Sequence, residues 1–315
     1  MKAGIKTALV IGATGYIGRH IIAALLREHP DATVFGLSRN GMPNAKGWRS
    51  LEGNLLDPQL PKLLAELQPD VIYLATATDK AAPLKEQLGL YVEGTRHLLD
   101  SVVETQIESK IVVLGSAAEY GYGDLPMTES TEANPQGEYG IAKLAQTQLS
   151  LLYARRYNLP IAVARIFNAY GESPKTYVTA SIAAQLAKLE IDERVKIPHI
   201  KVFNLNGWRD FIHVGEVANA LVALGETSLK TGETYNIGSG ESHSVQFVLE
   251  HLLSLSSIKE YEISPNGPQQ EERSQAVITK VIQDTSWHPK LSLEEGLQAE
   301  LDYWRGEIKL LAGKF

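Results

Sequence analysis

Tyr139 and Lys143 stand four residues apart in Glu138-Tyr-Gly-Ile-Ala-Lys143, at the start of an amphipathic stretch. At helical spacing both side chains share one face. A free phenol ionises near pH 10, roughly, and a neighbouring ammonium favours the phenolate. Lys143 is therefore expected to bring Tyr139 towards use as a general acid or base at an oxygen. The bare spacing is common and is equally met by an ordinary helix, so its neighbours matter. Ser116, in Gly115-Ser-Ala-Ala-Glu-Tyr-Gly121, follows an apolar run one strand earlier. Its hydroxyl either holds a carbonyl oxygen or closes a strand-end turn.

A third constellation opens the chain. Gly12-Ala-Thr-Gly15-Tyr-Ile-Gly18 follows a β-branched run and leads into an amphipathic segment. In that setting the first glycine allows a tight turn, the second a close backbone approach to pyrophosphate, and the third helix-on-strand packing. The helix N-terminus adds donors and positive dipole, which predicts dinucleotide binding. Where an acidic residue would select NAD at the end of the second strand, this chain has Ser38-Arg39. Arg39 offers a bidentate fork and Ser38 a hydroxyl to a 2′-phosphate, so NADP (NADPH) is expected over NAD. The alternative is a solvated loop arginine.

These groups need a scaffold. Apolar runs at Thr7–Ile11, Thr33–Leu37, Val71–Ala75, Lys110–Leu114 and Ile161–Ala164 predict strands. Between them, Tyr16–His29, Leu60–Gln68, Leu84–Glu104 and Glu138–Tyr157 read as helices. That alternation predicts an α/β protein with a Rossmann doubly wound parallel sheet. Beyond Arg165 the rhythm loosens into loops rich in Gly, Pro, Asn and Ser, with helices at Tyr177–Leu189, Val214–Leu224, Val245–Leu255 and Leu293–Tyr303. The expected division is a dinucleotide-binding domain over 1–165, with 209–236 returning to it. A smaller mixed C-terminal substrate-binding lobe takes 166–208 and 237–315.

Composition narrows the partners. With 315 residues, 44% hydrophobic and 21% charged, the chain reads as an ordinary globular protein large enough for a cleft. A net charge of −7 advertises neither nucleic acid nor an anionic membrane surface. The absence of cysteine removes disulfides, thiolate metal sites and cysteine nucleophiles, and the eight histidines never fall at paired ligand spacing, so no metal is expected. The opening apolar run breaks at Gly12 and Gly15 without a small-residue cleavage site, and no run is long enough for a membrane span. A cytoplasmic protein is expected.

With these residues assembled, the chain resembles the extended short-chain dehydrogenase/reductases, which include nucleotide-sugar epimerases, dehydratases and 4-keto-reductases. Further motifs carry the likeness: Gly53-Asn-Leu-Leu-Asp57, Tyr73-Leu-Ala-Thr76, Val92-Glu-Gly-Thr95, Arg165-Ile-Phe-Asn-Ala-Tyr-Gly171, Trp208-Arg-Asp-Phe-Ile-His-Val214, Tyr235-Asn-Ile-Gly-Ser-Gly240 and Trp287-His-Pro. The resemblance implies catalysis by Ser116, Tyr139 and Lys143. It implies cofactor contacts from Gly12, Thr14, Gly15, Tyr16, Ile17, Gly18, Ser38, Arg39, Asn54, Leu55, Leu74, Ala75 and Thr76, together with Tyr139 and Lys143. It also implies nucleotide-sugar contacts from Asn168, Val178, Lys201 and Arg209. Arg209 is either a fork for the diphosphate or a buried ion-pair partner of Asp210. A homodimer through Leu84–Glu104 and Glu138–Tyr157 is implied as well.

Within that superfamily, 4,6-dehydratases carry an Asp-Glu pair directly after the catalytic hydroxyl, where this chain has Ala117 and Ala118. Glu119, one residue on, is expected to point elsewhere on a strand-like extension. The resemblance therefore favours NADPH-dependent 4-keto reduction and is greatest to the GDP-4-keto-6-deoxymannose reductases. A 4-epimerase with retained NAD(P) and a catalytically silent NADP-binding sensor or scaffold are the alternatives. Three departures stand out: Tyr91 where an asparagine is common, Ala117 in place of a second serine, and Gly267-Pro-Gln-Gln270 where a GDP-sugar enzyme has Arg-Pro-x-Glu.

Overall fold

The computed structural model describes residues 4–41, 43–44, 47–123, 126–192, 197–228 and 231–312. Its first half alternates strands and helices: β1 (Thr7–Ile11), α1 (Tyr16–Glu28), β2 (Thr33–Ser38), β3 (Trp48–Glu52), α2 (Leu60–Leu67), β4 (Val71–Leu74) and α3 (Leu84–Leu88). A single π-helical turn over Gly89–Glu93 joins α3 to α4 (Gly94–Thr105), followed by β5 (Lys110–Ser116), α5 (Glu138–Tyr157) and β6 (Ile161–Ile166). Then come β7 (Asn168–Tyr170), α6 (Val178–Leu189), β8 (His199–Val202), β9 (Trp208–Arg209), β10 (Phe211–His213), α7 (Val214–Glu226) and β11 (Glu233–Ile237). The last elements are β12 (His243–Ser244), α8 (Val245–Ser254), β13 (Glu262–Pro265), α9 (Thr279–Thr285) and α10 (Leu293–Ala312).

Seven parallel strands form one sheet in the order β11-β6-β5-β4-β1-β2-β3. This is the expected doubly wound sheet. Its middle strands carry helices on both faces, so a run such as Val71–Leu74 is buried at every position. One face is sealed by Ile21 and Leu25 of α1 with Val217 and Leu221 of α7, the other by Leu64 of α2, Leu98 and Val102 of α4 and Ala154 of α5. The chain winds outward from β1 to β3, then returns to place β4 on the other side of β1. Ligands of open α/β sheets bind at such a reversal, beyond the carboxyl ends of the strands. A separate apolar core is built from α6, α8 and α10 with Ile200, Val202 and Phe211, and the described residues also form three two-stranded sheets.

Two strands of the seven-stranded sheet have no counterpart among the predicted elements, nor do the short strands of the two-stranded sheets. β3 is an edge strand whose Arg49 and Glu52 face solvent, so only Trp48 is buried, and β11 hides Asn236 among apolar neighbours. Neither has the apolar run that marks a central strand. The helix predicted over Leu84–Glu104 is interrupted by the π turn carrying Tyr91, a local irregularity frequent at functional sites.

Candidate active site

At the end of β1, Gly12 adopts φ +89°, and a Cβ there would lie 2.6 Å from the Ala75 carbonyl oxygen. A Cβ at Gly18 would overlap the Gly12 carbonyl. The loop thus holds two strand ends and the first turn of α1 closer than side chains permit. Gly15 caps α1 with no side-chain bond, leaving first-turn N–H groups for an anion, and the buried Thr76 Oγ1 has no partner among the described residues. These features fit the pyrophosphate of a dinucleotide. Thr14 lies in the loop itself, Ile17 in the first turn of α1, and Leu74 and Ala75 at the end of β4. Tyr16 Oη donates to the Gly171 carbonyl at 2.9 Å, tying this turn to the residue that follows β7.

At the end of β2, Ser38 Oγ donates to the Asn40 carbonyl at 2.9 Å and Arg39 is exposed. Glu52 of β3 is the register partner of Ser38, a carboxylate that sequence reading overlooked because its strand was not apparent. Leu55 is buried, and Asn54 Oδ1 accepts from Leu56 N at 3.1 Å.

The candidate catalytic hydroxyls come together where β5 ends. Ser116 caps a 3-10 turn over Ala117–Glu119, with Ser116 Oγ accepting from Ala118 N at 3.2 Å. A Cβ at Gly140 would overlap the Ala118 carbonyl, so the first turn of α5 presses directly onto this turn. That contact sets Tyr139, on the first turn of α5, beside the Ser116 hydroxyl. Glu119 does not continue a strand-like extension as expected. The turn folds it inward, fully buried, where Oε1 accepts from Ser116 N at 2.9 Å and Oε2 from Arg165 Nε at 2.8 Å.

The expected lowering of the Tyr139 pKa is not found. Burial raises it well above the usual phenol value, the Tyr91 phenol adds to the effect, and the Ser116 hydrogen bond opposes both. Lys143 is buried, and its Nζ donates to the Leu114 carbonyl and to Gln146 Oε1, the latter at 2.5 Å. It stands 4.4 Å from the centroid of the Tyr91 ring, and burial lowers its pKa to about 8. Tyr91, at the position where an asparagine is common, packs edge-on to Tyr139 with centroids 6.0 Å apart.

Among the expected substrate contacts, Asn168 Nδ2 reaches Ser274 Oγ at 3.3 Å and the Asp210 carbonyl at 3.4 Å. Arg209 is ion-paired, but with Glu272 rather than Asp210, and its guanidinium lies 4.6 Å over the Tyr122 ring. Asp210 instead is buried and accepts from the backbone of Ser239, Gly240 and Ala276. Val178 opens α6, immediately after Tyr177. Lys201 sits on β8 with an exposed side chain, its backbone bonded to Gln185, so no described contact ties it to Asn168 or Arg209. Across Gly267–Gln270, Gln269 braces the chain at Phe203 and Leu205.

Lys80 and Tyr177 were not singled out by sequence, since neither falls in a spaced pattern. Lys80 Nζ lies 5.3 Å from the centroid of Tyr139 and 5.7 Å from that of Tyr177, while Tyr177 meets Tyr16 at 5.5 Å. The only available signal was a lysine in the loop after a central strand. Among the described residues no group of three or more histidine or acidic side chains could hold a metal ion, and no helix is long and apolar enough to cross a membrane.

Residues 8–238 match the family model described as NAD dependent epimerase/dehydratase family. The dTDP-D-glucose 4,6-dehydratase of Mus musculus is 25% identical over 325 residues, covering 95% of this chain and 89% of that protein. The UDP-glucose 4-epimerase of Halalkalibacterium halodurans is 30% identical over 262 residues, covering 77% and 78%. Among solved structures, RMD from Pseudomonas aeruginosa complexed with NADPH shares the fold with a TM-score of 0.79 at 23% identity, covering 96% of this chain and 99% of that one.

Proposed function

Because the chain belongs to the NAD dependent epimerase/dehydratase family, we propose that it reduces the 4-keto group of a nucleotide-activated 6-deoxyhexose with NADPH, as a GDP-4-keto-6-deoxymannose reductase does. One observation carries the choice against dehydration. The positions following the catalytic hydroxyl are Ala117 and Ala118, and both oxygens of the nearby Glu119 are occupied beneath the site by Ser116 N and Arg165. Elimination of water needs a free acid and base there, whereas reduction needs one proton donor. Tyr139, held protonated by its burial, suits that role.

In this reading Ser116 and Tyr139 donate hydrogen bonds to the 4-keto oxygen, concentrating stabilisation where negative charge develops. When bound, the reduced nicotinamide supplies the hydride for the carbonyl carbon. Tyr139 gives its proton to the resulting oxygen, Lys143 meets the cofactor ribose, and Asn168 and Arg209 hold the diphosphate. Arg39 and Ser38 at the end of β2 support NADP, and the exposed Ile141 and Leu152 of α5 support a homodimer through that helix.

A second reading, epimerisation with retained cofactor, is favoured by Glu52. Its carboxylate beside Ser38 suits ribose hydroxyls better than a 2′-phosphate. NADPH consumption, with NADH as control, on GDP-4-keto-6-deoxymannose and on its dTDP counterpart tests the proposal. Rapid NADPH oxidation with one sugar is expected. No oxidation of either coenzyme with either sugar refutes it in favour of the second reading.

A further inference from the structure

Lys80 has no part in the reaction as derived above, yet its position is built. Thr78 N donates to Tyr91 Oη at 3.0 Å, and Gln87 Nε2 donates to the Lys80 carbonyl at 3.2 Å and the Ala82 carbonyl at 2.6 Å. Asp79 Oδ1 accepts from Ala81 N at 2.9 Å. Tyr91 and Gln87, only 1% and 0% exposed, anchor this loop from the π turn and the helix before it. The same Tyr91 packs on Tyr139, so one segment sets both the acid and the loop that carries the ammonium. Among the described residues Lys80 has no ion-pair partner; its Nζ meets only the rings of Tyr139 and Tyr177. Lys143, by contrast, is engaged by the Leu114 carbonyl, Gln146 and the Tyr91 ring.

We propose that Lys80 acts through Tyr139, stabilising the phenolate left when Tyr139 gives its proton to the substrate oxygen. In that step the Oη–H bond breaks, its electron pair stays on Tyr139, and the proton passes to the oxygen of the reduced carbonyl. The inference rests on Tyr139 being the proton donor of the proposed reaction. The other groups facing Tyr139 are Ser116 and Glu119 from the end of β5, Tyr91 from the π turn and Tyr177 before α6, with Lys143 one turn along α5. None of the first four supplies positive charge. Desolvation and the Arg209 guanidinium both lower the pKa of Lys80, although the residue keeps an exposed surface, and a phenolate beside it would oppose that lowering. Lys80 Nζ stands 5.3 Å from the centroid of the Tyr139 ring, and a unit charge at about that range from a phenolate, screened to between a protein surface and bulk water, moves its ionisation by about one pH unit.

The test places 3-nitrotyrosine at position 139, whose phenolate absorbs in the visible, and titrates it without substrate in the parent, Lys80→Met and Lys80→Arg proteins. Lys80→Met is expected to raise the apparent pKa by about one unit and Lys80→Arg to leave it near the parent value. An unmoved pKa in Lys80→Met overturns the proposal. In the unlabelled proteins, turnover of the keto-sugar should fall about tenfold in Lys80→Met with KM unchanged. A raised KM at unchanged kcat overturns the proposal and makes Lys80 a contact for a substrate anion. If no keto-sugar is turned over, the reductase reading fails, and the titration still decides Lys80.

Discussion

Replacing Glu119 by glutamine puts an amide into a fully buried site whose two bonds are of different kinds. One bond, from Ser116 N at 2.9 Å, survives because an amide oxygen still accepts. The other, from Arg165 Nε at 2.8 Å, turns donor against donor and leaves a guanidinium 5% exposed without its counter-ion. Removing one partner of a buried pair costs about 3–5 kcal/mol, because the remaining charge stays desolvated. For a chain of 315 residues that corresponds to a melting temperature about 5–8 °C lower. The stacking of Arg165 over the Tyr120 ring at 4.4 Å offsets only a small part of the loss. Thermal melting of Glu119→Gln, Arg165→Met and the double variant measures the effect. The double variant, with both buried charges gone, should be more stable than Glu119→Gln, with a coupling of about 2 kcal/mol or more. Additive losses, or a Glu119→Gln melt within about 1.5 °C of the parent, would refute the reasoning that this carboxylate is committed to holding Arg165 and the Ser116 turn.

Tyr139→Phe should keep cofactor affinity, measured by NADPH fluorescence, and lose at least about a hundredfold in turnover, since only the proton donor is removed; unchanged turnover removes Tyr139 from the mechanism. Arg39→Ala should weaken NADPH binding by at least about tenfold while NADH binding barely changes, as expected when a charge-assisted phosphate contact is lost; equal losses count against NADP selection. Lys143, whose pKa burial brings down to about 8, binds its proton less readily in the folded chain than in the unfolded one, where it titrates near 10.4. Between about pH 8 and 10 the unfolded chain therefore binds more protons and this residue makes stability rise with pH; denaturation midpoints of Lys143→Met should lack that part of the rise.

The readable parts of the fold were those whose cause is local. Central strands such as Val71–Leu74 need apolar side chains on both faces, so they were apparent from their own residues, and the helix over Glu138–Tyr157 was read with the bounds the structure shows. The edge strands β3 and β11 were not, because half-solvated or polar strands lack that run. The π turn at Gly89–Glu93 was hidden inside an otherwise helical pattern.

The candidate site divides along the same line. By itself the sequence determined the strand-turn-helix geometry of the glycine loop, because glycine at φ +89° and a strand end are local requirements, and it picked out Ser116, Tyr139 and Lys143 by type and spacing. Tertiary structure alone decided what those groups meet. Glu119 turned under Ser116 to hold Arg165, Arg209 paired with Glu272 in place of its neighbour Asp210, and Lys80 came to stand over Tyr139. Each pairing joins side chains from separate elements whose distance depends on how the ends of β4, β5 and β6 and the second lobe pack together. The burial that raises the Tyr139 pKa and lowers that of Lys143 arises from the same packing, since desolvation is a property of the assembled interior and of no residue alone.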